Sequence, residues 1–296
     1  MPSPGMRAFV PPVPIEPLPH GLLSGCLDIV TTTDMHELNG TDHVSSSCGQ
    51  LGLWQGCPDV DPSGVLPPFT NPESKLFERP ETVTSEPITI TSGIECSTFG
   101  LSFEEGRARA VESLAAGEQS TLEKYAMSRV LPRLAFDNVV GPGTPVNITL
   151  GLGLLEDWMA QTHGYRGVIH VPSVAGPLLS RTRAVPFLRD NECLGTLAGN
   201  RVVIGAYGTT TGPYTEPLTP PVPAPAGSVW LYITPPMRIR RDAAHLVLRE
   251  EWQGLNTVIN DRRALAESTF VIETACESGA AVLVSLDQDF TPPAEG

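Results

Sequence analysis

The end of the chain constrains the fold most, because two β-rich runs stand close together there, Ser268 to Thr274 and Ala280 to Leu286. Buried backbone N–H and C=O groups need hydrogen-bond partners, so strands this late must pair with strands that come much earlier. Gly279 lies between the runs and marks a crossing from one sheet to another. The sequence therefore predicts two sheets, each of which is closed by one of the last strands.

The two runs predict different surroundings. The first run is expected to pair with MRIRR (237–241) and HLVLREE (245–251) beneath a long helix. The second run is almost uninterrupted in its apolar character, which is typical of a central strand buried on both faces. Its expected partners are VVIGA, VIHV and VWLYI in the middle of the chain.

The long helix is predicted to begin at Ser102, because Glu105 stands three residues later and the two form a capping-box pattern. Apolar residues then recur at helical spacing, and Pro132 marks the expected end. Acidic side chains, Glu118 and Glu123 among them, are expected on the opposite face, which is turned to solvent or to a neighbour.

The middle of the chain alternates helices and strands, followed by strands at short spacing, which together indicate an α+β fold. The predicted elements are a helix at 149–161, a strand at 168–171, a helix at 174–181 capped by Ser173, and strands at 201–206 and 228–235. His170 is interpreted as an ordinary strand residue rather than a catalytic partner of Ser173, because no GxSxG motif accompanies it.

Prolines limit regular secondary structure in the first 98 residues. VPPVPIEPLP and CPDVDPSGVLPPFTNP break regular elements, so residues 1–70 are predicted to form an arm that is ordered only against a partner. Residues 71–98 alternate polar and β-branched side chains, as in ETVTSEPITITSGI. Pro80, Pro87 and a small apolar content favour a protruding β loop there.

Charge and cysteine content exclude several classes of protein. The net charge of −14 argues against tight general binding to nucleic acid, which requires clustered Lys and Arg. We expect neither a membrane span nor a secretory signal, because no run of ~18 apolar residues and no basic start before an apolar run occur. The six cysteines include no CxxC, so reduced thiols are expected, with a Cys48–Cys57 bridge as the alternative.

This order of elements resembles the major capsid protein fold of tailed phages, which encapsulins share. The local text is similar to virion proteins of actinobacterial tailed phages in ARAVESLAAGEQSTLEKYAMSRVL, YRGVIHVPSVAGPLLSR, LAGNRVVIGAYG, SVWLYITPPMRIRR and ESTFVIETACESGAAVLVSL. The resemblance covers residues 94–286 and rests on order and pattern rather than on a short motif.

The resemblance implies a division of the chain into five parts. They are an N-terminal arm (1–70), an extended loop over a neighbouring subunit (71–98), a peripheral domain with the long helix as its spine (99–145 and 236–278), an axial domain (146–235 and 279–286) and a C-terminal tail (287–296). The loop 208–227 is expected to meet its copies around five-fold and six-fold axes.

The resemblance also implies a function without catalysis: self-assembly through pentamers and hexamers into the icosahedral shell of a virion, inside the host bacterial cytoplasm. The shell would enclose double-stranded DNA by weak non-specific contact, with scaffold, portal and decoration proteins as further partners and with no cofactor, metal or membrane. The subunit-contact candidates are Trp54 in the arm, Lys75 and Phe77 in the extended loop, and Pro221 and Pro223 in the loop 208–227.

Two other functions stay open from the sequence. An encapsulin-like nanocompartment shell shares every structural feature above. A hydrolytic α/β enzyme is the alternative from a different class, because DMHELNGTDH brings carboxylates close to His36 and His43, and both are metal-ligand types. The spacing of these residues matches neither HExxH nor a zinc finger.

Overall fold

The structure is a computed structural model that describes residues 13, 15–45, 48, 80–97, 102–182, 187–188, 193–208, 210–216, 220–247, 254–256, 258 and 261–287. Its helices are α1 (Met35–Leu38), α2 (Phe103–Tyr125), α3 (Leu131–Leu134), α4 (Ile148–Thr162) and α5 (Gly176–Thr182). Among these residues, no helix has the length and apolar composition that a bilayer-spanning helix needs.

The strands belong to two larger sheets and one strand pair. In chain order they are β1 (Asp28–Thr31), β2 (Thr41–Val44), β3 (Thr82–Ser85), β4 (Pro87–Ser97), β5 (Val168–Pro172), β6 (Phe187–Leu188), β7 (Cys193–Gly195), β8 (Arg201–Gly205), β9 (Ser228–Thr234), β10 (Met237–Arg241), β11 (His245–Leu246), β12 (Leu255–Asn256), β13 (Asp261–Thr274) and β14 (Ala280–Ser285).

The long helix begins as its sequence predicts. The Ser102 side chain accepts a hydrogen bond from the Glu105 backbone N–H, and the Glu105 carboxylate accepts one from the Ser102 N–H, which completes the capping box. A π-helical turn at Ala126–Val130 then joins α2 to α3, so the helical path continues to Leu134. The predicted end at Pro132 is therefore two residues early, since this proline lies in the first turn of α3.

The expected solvent face of this helix is wrong at two positions. Glu118 and Glu123 are buried and lie on the same side as Ala110, Leu114 and Leu122. Small alanines on both sides of the helix make its apolar stripe ambiguous in the sequence. The two carboxylates face inward because polar partners lie there, Arg241 for Glu118 and the Leu22 N–H for Glu123.

The first sheet lies beneath α2 and is organised around β13. Residues 270–274 of β13 pair with β10, which confirms MRIRR as a partner of the run 268–274, and β11 pairs with residues 266–267 just before that run. β4 pairs with the other edge of β13 over its whole length, and β1 extends the sheet beside β10 in parallel orientation. Phe270 and Ile239 pack with Leu114 of the helix in the core between them.

The second sheet has the strand order β14-β9-β5-β8-β7-β6. One face packs on α4 through a core that contains Leu155, Met159 and Val282. Val203 and Tyr232 on the other face join the core of the long helix. The long helix therefore packs against both sheets.

The last strand is buried as expected, but it is not central. Every residue of β14 is buried, yet β14 stands at the end of the strand order. Residues 138–146 cover its outer edge, where Ala281 N–H donates to the Asn138 carbonyl at 3.0 Å and Ser285 N–H donates to the Val146 carbonyl at 2.8 Å. The segment that covers the edge of β14 forms backbone hydrogen bonds with it, as a neighbouring strand would. A covered edge strand and a central strand therefore have the same apolar sequence pattern.

Part of the predicted arm folds on its own chain. The prediction that residues 1–70 form no regular element is wrong for β1, α1 and β2, because Leu22, Leu27 and Leu38 between the prolines are buried in the subunit. Residues 71–98 also bury more than expected, since Val83 and Ile90 are core side chains. The predicted Ser173 cap is wrong as well, because a short 3₁₀ turn at Ser173–Ala175 without a side-chain cap precedes α5.

His170 lies in β5 and is fully buried, as an ordinary strand residue would be. Its Nδ1 atom is 2.9 Å from the Tyr207 hydroxyl, and its Nε2 atom is 3.1 Å from Thr234 Oγ1. Burial lowers the pKa of His170 to about 3 and raises the pKa of Tyr207. The imidazole is therefore neutral in the folded protein at every pH above that value.

We predict that His170 makes the fold sensitive to acid. Unfolded His170 binds a proton below pH ~6.5 while folded His170 does not, so its contribution is lost as pH falls from 6.5 toward 3, up to about 5 kcal/mol. His170→Gln keeps hydrogen-bonding groups but does not titrate, so its unfolding free energy in urea should fall less steeply over that interval. Parallel pH profiles for the two proteins would contradict this role of His170.

Candidate assembly surfaces

The structure describes two of the five subunit-contact candidates. Trp54, Lys75 and Phe77 lie outside the described residues. Pro221 is half-buried, Pro223 is exposed, and Val222 between them has 71% of its surface exposed. These residues present an apolar surface on the loop 208–227.

The base of this loop is fixed on the rest of the subunit. Thr211 and Pro223 form an isolated antiparallel bridge, and Gly212 N–H donates to the Val222 carbonyl at 2.8 Å. Thr211 Oγ1 donates to the Met127 carbonyl at 3.1 Å, which ties the loop to the long helix. The exposed side chain of Val222 therefore lies on a part of the loop that is fixed to the rest of the subunit.

A second surface starts from the pair of β2 and β3. Their antiparallel register runs from Thr41 opposite Ser85 to Val44 opposite Thr82, and Ser45 N–H donates to the Glu81 carbonyl at 2.8 Å. The segment 46–80 thus begins and ends at one place, and it contains Trp54, Lys75 and Phe77.

Charged side chains hold that base on the first sheet. Arg240 contacts Glu273 at 2.7 Å and Glu37 at 3.0 Å, and the Thr41 hydroxyl donates to Glu273 at 2.7 Å. Arg238 forms a further ion pair with Asp28 at 2.6 Å. These groups line a cavity of about 560 Å³ and satisfy one another across it.

The carboxylates near His36 and His43 already have other partners, which does not favour a metal site there. Asp34 accepts the His36 N–H as the cap of α1, and Asp42 accepts the Thr84 hydroxyl at 2.8 Å. Glu37 forms an ion pair with Arg240. Within the part of the chain that the structure describes, no group of three His, Cys, Asp or Glu side chains is arranged to hold a metal ion. The arrangement does not favour the metal-dependent enzyme.

A buried carboxylate positions the N-terminal segment. We call residues 18–27 the N-terminal strap. Glu123, which is fully buried, accepts the Leu22 N–H of the strap at 2.9 Å and the Ala206 N–H after β8 at 2.5 Å. Burial raises the pKa of Glu123, while the two backbone N–H groups act in the opposite direction. The sequence pattern missed this role because it placed Glu123 on the solvent face.

The neighbouring carboxylate, Glu118, faces the first sheet instead. Arg241 of β10 approaches it at 3.1 Å. Burial raises the pKa of Glu118, and the guanidinium of Arg241 opposes that shift. One side of α2 therefore contacts the first sheet through Glu118 and the strap and second sheet through Glu123.

A disulfide also ties down the strap, which corrects the expectation of reduced thiols. Cys26 is bonded to Cys193 at the start of β7, across 167 residues of chain. Cys48 is a free thiol among the described residues, and Cys57, its partner in the alternative bridge, lies outside them. No local spacing pattern identifies a pair of cysteines this far apart in sequence.

We predict that Glu123→Gln destabilises the subunit by about 1–3 kcal/mol at pH 7, because an amide sets an N–H against one of the two backbone donors. Its denaturation midpoint should fall, and hydrogen exchange at Leu22 and Ala206 should accelerate. Glu112→Gln on the exposed face of the same helix is the matched control and should leave both unchanged. Equal midpoints for the two variants would show that Glu123 does not hold the strap.

No protein-family model and no curated protein matches this sequence. Solved structures match its fold. A chain from Microbacterium phage Oxtober96 aligns with a TM-score of 0.51 and 8% identity over 97% of this chain and 96% of that chain. A chain from the capsid of cyanophage P-SCSP1u gives a TM-score of 0.46 at 7% identity over 96% and 93% of the two chains. The SrpI encapsulin of Synechococcus elongatus gives 0.42 at 12% identity over 73% and 80%.

At these identities the likeness concerns the fold alone. The alignment with the Microbacterium phage chain spans nearly all of both chains, so it includes both sheets and the long helix. The chain has an α+β fold that is similar to that of a tailed-phage chain over nearly its whole length, in agreement with the fold that the resemblance in its sequence implied.

Proposed function

We propose that this chain is the major capsid protein of a tailed phage, which self-assembles into an icosahedral shell around double-stranded DNA. The observation that carries the proposal is the fold match to a phage chain over 97% of this chain and 96% of the other. A match of nearly equal extent in both chains favours one whole structural subunit over a shared fragment.

Two surfaces support assembly. Val222 in the loop 208–227 exposes apolar surface, and the segment 46–80 begins and ends at the β2–β3 pair. Segments of this kind become more stable when they bury surface against partners, and closed shells repeat one such contact many times. Copies of the chain in pentamers and hexamers are therefore the proposed partners, with the loop 208–227 around their axes.

The charge suits a container for DNA. The chain carries a net charge of −14, so its surface offers phosphate groups little attraction. Packaged DNA would touch such a shell weakly and without sequence preference. Scaffold, portal and decoration proteins are further proposed partners, and the proposed place of assembly is the cytoplasm of the host bacterium, before the chain becomes part of the virion.

We predict that the purified recombinant protein forms uniform shells, or pentamers and hexamers, in negative-stain electron microscopy and light scattering. Val222→Asp should weaken assembly while the subunit stays folded by circular dichroism, because a charge replaces an exposed apolar contact. Val222→Ile keeps the apolar character and should assemble like the parent protein.

Two outcomes would change the proposal. A monomer or dimer at all concentrations, even with a co-expressed scaffold protein, would remove the shell function. Shells that enclose a protein cargo rather than DNA when isolated from the native source would identify a nanocompartment instead of a phage capsid.

A further inference from the structure

The N-terminal strap crosses between the two sheets. The Leu18 carbonyl accepts a hydrogen bond from the Gln119 side chain at 3.0 Å, and the His20 carbonyl accepts one from the Ile204 N–H at 2.8 Å. Immediately after the strap, β1 enters the first sheet beside β10. The strap thus contacts the long helix and the second sheet and leads into the first sheet.

Its last part is held by a covalent bond. Cys26 and Cys193 are 4% and 5% exposed, and their Cα atoms are 5.3 Å apart, within the range that disulfides require. Cys193 begins β7, so the bond joins the strap to the second sheet. Arg201 of β8 donates a hydrogen bond to the Cys26 carbonyl beside it. Both sides of the bond therefore lie in ordered parts of the subunit.

We propose that Cys26 and Cys193 form an oxidation-controlled latch, which is open as two thiols when the chain is made and closes to a disulfide in an oxidising medium. Structural disulfides are rare in the bacterial cytoplasm, where thiols are kept reduced. The pair is nevertheless placed for bonding in the folded subunit. The two cysteines therefore lie within bonding distance before the chain meets an oxidising medium.

Closure needs an oxidant, and a small-molecule disulfide supplies one. The thiolate of Cys26 attacks that disulfide, forms a mixed disulfide and releases one small thiol. The thiolate of Cys193 then attacks the Cys26 sulfur, forms the Cys26–Cys193 bond and releases the second small thiol. Two protein thiols are oxidised, one small disulfide is reduced to two thiols, and the two protons lost by the cysteines go to those thiols.

Burial controls the rate of this exchange. Because both cysteines are almost fully covered, either one reacts only when the strap opens locally. Closure is then slow, and the closed bond is protected from reductants for the same reason. The latch resists later exposure to small thiols while the subunit stays folded.

The closed latch changes how the strap is held. Without the bond, the strap depends on hydrogen bonds and on the burial of Leu22 and Leu27. With the bond, the strap cannot leave the second sheet unless β7 also detaches. A consequence for particle strength rests on the proposed function, whereas the latch itself belongs to the single subunit.

The test starts from full-length protein prepared in two states. For the first sample, an aliquot is denatured and alkylated with N-ethylmaleimide at cell lysis, because the folded subunit covers both cysteines, and the rest is purified under reducing conditions. The second sample is incubated with glutathione disulfide, and an aliquot of it is then denatured and alkylated in the same way. Peptide mass spectrometry should find Cys26 and Cys193 alkylated in the first sample and linked to each other in the second. Hydrogen exchange at Leu22 and Ile204 should be slower in the oxidised protein, and its Tm should be higher by roughly 5–10 °C.

Variants assign the effect to this pair. Cys26→Ser and Cys193→Ser should each abolish the Tm difference between reduced and oxidised protein, whereas Cys48→Ser should keep it. Wild-type protein, reduced and then reoxidised, gives the same comparison if a variant does not fold. Linkage of Cys26 to another cysteine, or equal Tm values in the two wild-type states, would overturn the latch. If the disulfide forms as expected but the protein assembles into no shells, the proposed function is contradicted while the latch stands.

Discussion

The structure depends on one helix that contacts both sheets through buried carboxylates. Glu118 meets Arg241 of the first sheet, and Glu123 accepts N–H groups from the strap and from the residue after β8. A buried carboxylate that loses its partners costs several kcal/mol, so neither sheet moves away from α2 freely. Hydrophobic packing alone would allow the sheets to slide on the helix, whereas directional bonds to two carboxylates fix their positions along its axis.

Local patterns in the sequence were sufficient for much of this fold. The capping box at Ser102 and the pairing of β13 with β10 were predicted correctly, because each depends on residue spacing or on the few strands available to pair. The inward turn of Glu123, the covered edge of β14 and the Cys26–Cys193 bond were not predictable. Each of them depends on a segment far away in sequence, which no periodicity reports.

The candidate assembly surfaces show the same division. Pro221 and Pro223 lie in a loop that its proline content marks clearly, and the structure places that loop on a fixed base. The base of the segment 46–80 was missed, because prolines dominate the first 70 residues and conceal the short β2. Arg240 and Glu273, which hold that base, have no feature in the sequence that distinguishes them from other surface charges.

Under the proposed function, the chain must meet two opposing requirements. Its contact segments have to leave the body and find neighbours, which favours weakly held loops, whereas its body must keep one shape so that repeated contacts close into a shell. This chain separates the two tasks. The proposed contact segments start at defined bases near residues 41–45 and 210–224, while buried carboxylates and the strap bind the body together. The strap takes part in both tasks. It belongs to the N-terminal region that the sequence predicts to be an arm, and it also holds the two sheets together.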